Sequence, residues 1–99
     1  MGHRIEKDFL GEREIPDDIY YGVQTLRGIE NFHITGIPIS NEPYFIQAFG
    51  YVKKAAALAN RDLGKLSAEK ATAIAAACDR LIAGEFRSQF PTDMIQGGA

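Results

Sequence analysis

"PYFIQAFGYVKKAAALANRDLGKLSAEKATAIAAACDRLIAG", residues Pro43 to Gly84, decides the fold of this chain. From Tyr44 onward Phe45, Phe49, Val52, Ala56, Ala59 and Leu63 recur at steps of three and four, the spacing that lines one face of an α-helix. Pro43 suits the first helical turn, where its missing N–H had no partner to lose, and Glu42 adds charge that a helix N-terminus favours. Ser40 or Asn41 is the expected cap, and Gly64 sits in the C-terminal capping position. The spacing therefore predicts a helix from about Pro43 to Leu63. A second helix opens at Ser67 with Glu69 in its first turn, although Lys70 stands where a full capping box would carry Glu or Gln. Ala71, Ile74, Ala75, Cys78, Leu81 and Ile82 form one apolar face, and Gly84 ends the helix. With few residues between them, the two helices should form an antiparallel αα-hairpin. The run "AAALA" at Ala55 to Ala59 trims side-chain bulk on several faces, permitting close helix approach or enclosure on more than one side.

Upstream, "RIEKDFLGEREI" at Arg4 to Ile15 sets Ile5, Phe9 and Leu10 among charges, with Gly11 in the middle. This favours two short extended pieces around a glycine turn, without the Asn-Gly or Asp-Gly pair of a strong hairpin signal. Pro16 closes the second piece and steers Ile15 toward extended geometry. "PDDIYYGVQTLRGIENF" then offers Asp17 and Asp18 as caps and Val23, Leu26 and Phe32 near helical spacing. Gly22 and Gly28 interrupt that spacing, so one or two helical turns are expected. "HITGIPISNE" reads as a loop, and "EFRSQFPTDMIQGGA" as an irregular connection. The fold class is mainly α with a small N-terminal β element.

Ninety-nine residues bound the answer to one small core, and the ordinary balance of apolar and charged residues argues for a globular protein. A formal net charge of −2 with both signs interspersed supplies no basic stripe for a phosphate backbone, so no nucleic-acid partner is expected. Cys78 is the single cysteine, which excludes an internal disulfide and fits a reducing compartment such as the cytoplasm. No stretch has the run of about 18 apolar residues that a membrane span needs, and no membrane partner is expected.

The residues alone offer little catalytic chemistry. His3 and His33 lie far apart, neither with a partner at ligand spacing, so no metal site is expected. Lys53 and Lys54 read as a solvated helix face before they read as an anion site, and Cys78 as a small core residue. Arg27 stands out among the aromatics Tyr20, Tyr21 and Phe32, where a guanidinium can grip a carboxylate through two parallel hydrogen bonds. A structural ion pair with Glu30 or Asp18 is the competing reading. The glycines of "QGGA", Gly97 and Gly98, suit a backbone that presents N–H donors to an anion, or simply a flexible turn.

Several ordered segments resemble one family. "RIEKDFLGEREIP", "DIYYGVQTLRGIENF", "VKKAAALAN", the Leu63 to Leu66 "LG.L" and "FPTDMIQGGA" are similar to the N-terminal region of the aspartase/fumarase superfamily, over essentially the whole chain. Within it, "QGGA" and Val23 of "YYGVQT" lean toward aspartate ammonia-lyases rather than class II fumarases. The resemblance implies that residues 1–99 are an incomplete N-terminal domain, with the central helical bundle and C-terminal domain absent. It implies a homotetrameric parent with sites shared between subunits, acting on L-aspartate to give fumarate without an organic cofactor. It implies further that "GGA" leads into a Gly-Thr-Ser-x-Asn-Met-Asn motif that binds a substrate carboxylate, and the chain stops short of that motif. No family catalytic residue maps onto this chain. Arg27, Gly97 and Gly98 are the positions carried over as substrate-binding. The chain alone is expected to be inactive and, with apolar surface uncovered, to self-associate. A class II fumarase and a free-standing helical interaction module are the alternatives.

Overall fold

The computed structural model describes residues 2–95. Its contacts divide the chain into two units, residues 2–41 with 88–95, and Glu42–Arg87.

In the first unit β1 (His3–Asp8) and β2 (Gly11–Pro16) pair antiparallel, His3 opposite Pro16 and Asp8 opposite Gly11, as the glycine turn predicts. Phe9 and Leu10 make the turn, and Gly11 leaves it at φ 121°, a backbone region that costs glycine nothing. The pleat decides the rest. Arg4, Glu6 and Asp8 share the less exposed face of β1, while Ile5, Phe9 and Leu10, the apolar residues of the segment, are exposed. On β2 the alternation buries Ile15 completely.

The next helix, α1 (Val23–Asn31), is longer than one or two turns and starts later than Asp17 and Asp18 allow. Gly22 occupies its N-cap without a side chain to offer, and Glu6 of β1 replaces the local cap by accepting from the Val23 N–H at 2.9 Å. A Cβ on Gly22 would sit 2.8 Å from that carboxylate oxygen, so glycine at position 22 leaves room for the Glu6 cap where it stands. Gly28 does not break the helix, and a Cβ there would meet the Thr92 methyl at 3.5 Å, an ordinary van der Waals contact. The chain then forms a short 3-10 helix, Ile39–Asn41, beside an antiparallel bridge between Pro38 and Asp93.

The second unit is the expected antiparallel αα-hairpin of α2 (Pro43–Asp62) and α3 (Ala68–Ile82). Pro43 takes the first turn, Leu63 is the C-cap, Gly64 follows at φ 72°, and the Ser67 hydroxyl caps α3 by accepting from the Lys70 N–H. Glu42, rather than Ser40 or Asn41, is the N-cap of α2, because those two belong to the 3-10 helix. A larger correction concerns the helix face. The stripe Phe45, Phe49, Val52 and Leu63 is exposed, with Val52 at 63% and Leu63 at 72%, whereas Ile46, Gly50 and Ala57 are buried and face α3 with Ala71 and Cys78. Small side chains let the two backbones approach, and dispersion rewards that approach more than it rewards a bulky stripe held at a distance. Gln47 Nε2 donates to the Ile82 carbonyl at 3.1 Å, and Lys54 pairs with Asp79 at 2.7 Å, which raises the lysine pKa. Lys54 is thus committed to Asp79, against the anion-site reading. Among the described residues no helix is long and apolar enough to cross a membrane.

Candidate functional site

Val23, Arg27 and Glu30 fall at steps of four and three on α1 and so lie along one side of it. The strand pleat brings Glu6, Asp8 and Arg13 to that side, and each α1 position meets a polar strand residue. Glu6 caps Val23, Asp8 receives Arg27, and Arg13 forks onto Glu30 through both terminal nitrogens. Arg4 completes the set. Its Nε donates to Glu6 at 2.7 Å, its Nη1 to the carbonyls of Pro16 and Ile19, and its Nη2 to the carbonyl of Tyr21. One guanidinium therefore ties the segment after the hairpin back to β1.

Arg27 does hold a carboxylate through two nitrogens, Nε to Asp8 Oδ2 at 2.9 Å and Nη2 to Oδ1 at 3.1 Å, with Nη2 also donating to the Gly11 carbonyl at 3.1 Å. The partner is neither Glu30 nor Asp18: Glu30 is taken by Arg13, and Asp8 lies nearest on the facing strand. The pair is shielded, with side chains 18% and 9% exposed, so water competes weakly for it. The Arg27 hydrogen bond, opposed by partial desolvation and aided by the Leu10 amide, holds the Asp8 carboxyl below its ordinary pKa. Glu6 is lowered in the same way by the Arg4 hydrogen bond and then by the Val23 amide, and Glu30 by Arg13, whose own pKa rises. The signal for this cluster is the period-two alternation Arg4, Glu6, Asp8 along one strand face, with Ile5 and Lys7 on the other.

A second cluster centres on Asp93, whose only local signal is a carboxylate set inside the largely apolar "FPTDMI". Asp93 is 9% exposed. Its Oδ2 accepts from the amides of Thr35 and Gly36 at 2.9 and 3.0 Å, and its Oδ1 from the Thr35 hydroxyl and the Ile95 amide at 2.8 Å each. Around it Ile39 donates to the Thr92 carbonyl and Met94 to the Ile37 carbonyl, both at 2.8 Å. Beside this knot lies a cleft of about 180 Å³ lined by Ile29, Phe32, His33, Pro38 and Pro91 with Asp93. Gly97 and Gly98 lie outside the described residues.

Burial pushes the Asp93 pKa up, but its four hydrogen bonds outweigh that and hold it at about 2, from an ordinary value of 3.8. The sign for stability follows from linkage. A depressed folded-state pKa contributes stability that is present above the unfolded value and lost as pH falls through the folded one. Acidification from pH 3.8 to about 2 is therefore expected to release the Thr35–Ile37 loop from Asp93. Faster exchange of the Thr35, Gly36 and Ile95 amides than intrinsic acid rates explain would register the release; amides unchanged across that window would contradict it. Among the described residues no group of three or more His, Cys, Asp or Glu is placed to hold a metal ion.

A family model described as Lyase matches residues 11–99. The aspartate ammonia-lyase of Pseudomonas aeruginosa is 56% identical over 97% of this chain, which covers 20% of that enzyme. The class II fumarate hydratase of Halobacterium salinarum is 54% identical over 98% of the chain, with 20% of the hydratase covered. Among solved structures, the cobalt-bound fumarate lyase:delta crystallin of Brucella melitensis matches with a TM-score of 0.92 at 48% identity, covering 99% of this chain and 21% of that one. The matched family model, with these relatives, thus defines the class of protein as the lyases. The chain belongs to the lyase family that this model describes. It spans about a fifth of the length of the curated relatives it matches.

Proposed function

We propose that this chain is the N-terminal part of an aspartate ammonia-lyase, an enzyme that eliminates ammonia from L-aspartate to give fumarate. The observation that carries the reading is the 56% identity to the Pseudomonas aeruginosa enzyme across 97% of the chain. In the whole protein a base removes the proton from the carbon bearing the second carboxylate, and the electron pair collects on that carboxylate as an aci-carboxylate dianion. Ammonia then leaves from the neighbouring carbon as the double bond forms. The barrier falls if hydrogen-bond donors already point where the charge develops. Gly97 and Gly98 are assigned to the backbone that leads into such a donor turn. Arg27 is assigned a supporting role in carboxylate binding, exerted through Asp8, since its guanidinium is occupied by that side chain. No organic cofactor enters this chemistry.

On the same reading residues 1–99 are the first part of the N-terminal domain, and the parent is a cytoplasmic homotetramer that completes each site with residues from other subunits. The exposed stripe of Phe45, Phe49 and Val52 supports burial against further protein, and self-association when the chain stands alone. A class II fumarate hydratase is the second reading, favoured by the 54% identity to the Halobacterium salinarum enzyme.

The full-length gene product, given L-aspartate and L-malate in parallel, separates the two through the ultraviolet absorbance of fumarate. Rapid fumarate formation from L-aspartate alone is expected; formation from L-malate alone would transfer the assignment to the hydratase. The 99-residue chain by itself should show no rise above blank with either substrate, and turnover there would sink the idea that the site needs the rest of the protein.

A further inference from the structure

We propose that the exposed stripe of α2 seats a helix from the remainder of the full-length protein, one that is bulky where α2 is small and carries a carboxylate opposite Lys53. The inference rests on the reading of this chain as the N-terminal part of a longer lyase. Curated relatives, of which the chain covers 20%, leave ample length to supply that helix. Phe45, Phe49, Val52, Ala56, Ala59 and Leu63 follow one another by steps of four, three, four, three and four, and all are exposed. That alternation is the a/d pattern by which one helix interdigitates with another, so the spacing itself points to a helix as occupant. The stripe is distinct from Ile46, Gly50 and Ala57, which α3 already covers. It also tapers. The rings of Phe45 and Phe49 hold each other edge to face, 4.8 Å between centroids, which fixes a bulky end, while Ala56 and Ala59 leave the other half low. Close packing demands the opposite taper in the occupant, small side chains against the rings and large ones over the alanines.

Charge on the rim of the stripe selects among occupants. Lys53 flanks the stripe beside Val52 and Ala56, is exposed, and makes no ion pair among the described residues, whereas Lys54 is held by Asp79. A second copy of α2 fits badly in either direction. Laid parallel on a two-fold axis, it sets ring against ring and alanine against alanine, so the taper is doubled rather than filled. Laid antiparallel with the stripes fully overlapped, it sets Phe49 over Ala59 and Val52 over Ala56, but it also brings Lys53 against Lys53 beside the axis, where like charges repel. A helix of different sequence escapes both penalties, and a carboxylate on its rim pairs with Lys53. A copy covers the stripe less well, and only when the chain stands alone.

A zero-length carbodiimide, which joins an amine to a carboxylate in contact with it, tests this on the full-length protein. The expected product links Lys53 to an Asp or Glu on a helix beyond residue 99 of the same chain, found by peptide mapping and running at monomer mass on a denaturing gel. Lys53→Glu should lower Tm by about 2 °C, and exchanging the linked acid for Lys in that variant should restore it. Ala56→Phe, which fills the low half of the stripe, should lower Tm by about 4 °C or more. A link to a second subunit, a link to a carboxylate within residues 2–95, an unlinked Lys53, or an unchanged Tm in Ala56→Phe would each overturn the inference. Turnover of L-malate in place of L-aspartate would move the functional reading to the hydratase and leave this inference standing, so the two fail separately.

Discussion

Gly50→Leu is expected to abolish the cooperative unfolding of the αα-hairpin, at a cost of about 3 kcal/mol or more, the upper range for overpacking a close-packed interior. Helix propensity argues in the opposite direction. Glycine inside a helix costs about 1 kcal/mol relative to alanine, and leucine is among the good helix formers. Packing wins because of what surrounds the site. A Cβ at position 50 would lie 2.8 Å from Ile82 Cγ1, 3.2 Å from the Cys78 carbonyl oxygen and 3.4 Å from the Ile82 backbone nitrogen. The last two are backbone atoms of α3 and cannot rotate away, so the helices must separate. Separation also strains the two polar ties on either side of Gly50, Gln47 to the Ile82 carbonyl and Lys54 to Asp79. Ala48→Leu, on an exposed side of the same helix, should be nearly neutral and controls for propensity. Thermal unfolding followed by far-ultraviolet circular dichroism distinguishes them. A Gly50→Leu protein that melts like the wild type would show that α2 and α3 do not approach so closely.

That site also shows where sequence reading reaches its limit. The existence, order and ends of α2 and α3 were legible, because Pro43, Gly64, Ser67 and Gly84 act locally, each through its own backbone or side chain. Which stripe of α2 faces α3 was not. A periodicity of three and four is satisfied both by Phe45, Phe49 and Val52 and by Ile46, Gly50 and Ala57, and hydrophobicity alone prefers the larger side chains. Only the second stripe permits the approach recorded at Gly50. The candidate site divides in the same way. Arg27 was legible as a carboxylate-gripping residue from its type and setting, but not its partner, because Asp8 is brought to it by the register of a hairpin. The Glu6 cap of α1 is equally non-local: Gly22 has no side chain to offer, and local rules point instead to Asp17 and Asp18, which lie ahead of the helix. Asp93 draws its four donors from Thr35, Gly36 and Ile95, three of them from a loop far back in the chain, which no spacing rule connects.

Arg27→Lys is expected to loosen the β1–β2 hairpin from α1 although it conserves the charge. Lysine offers one compact ammonium, whereas Arg27 divides its donors between both Asp8 oxygens and the Gly11 carbonyl. A single nitrogen cannot reproduce that fork. Asp8 would keep a shielded carboxylate with fewer donors, and its pKa should climb back toward the ordinary value from which the Arg27 hydrogen bond lowers it. In the wild type the depressed pKa contributes stability above the ordinary aspartate range that is lost as pH falls below it; the variant should lack that increment, and its stability should vary less with pH there. Amide exchange at Leu10, whose N–H donates to Asp8 Oδ1, should quicken about tenfold as local opening becomes easier. Asp8→Asn attacks the same pair from the other side, and the double variant should be less damaging than the sum of the single ones. Combined with activity of the full-length protein, this cycle tests the proposal that Arg27 serves substrate binding. If Arg27 acts through Asp8, Asp8→Asn must reproduce the rise in KM caused by Arg27→Lys. If instead the guanidinium grips the substrate itself, removing the competing Asp8 carboxylate would leave KM unchanged or lower it. The occupied fork favours the first outcome, since a substrate carboxylate would have to displace one already bound through two nitrogens in a shielded site.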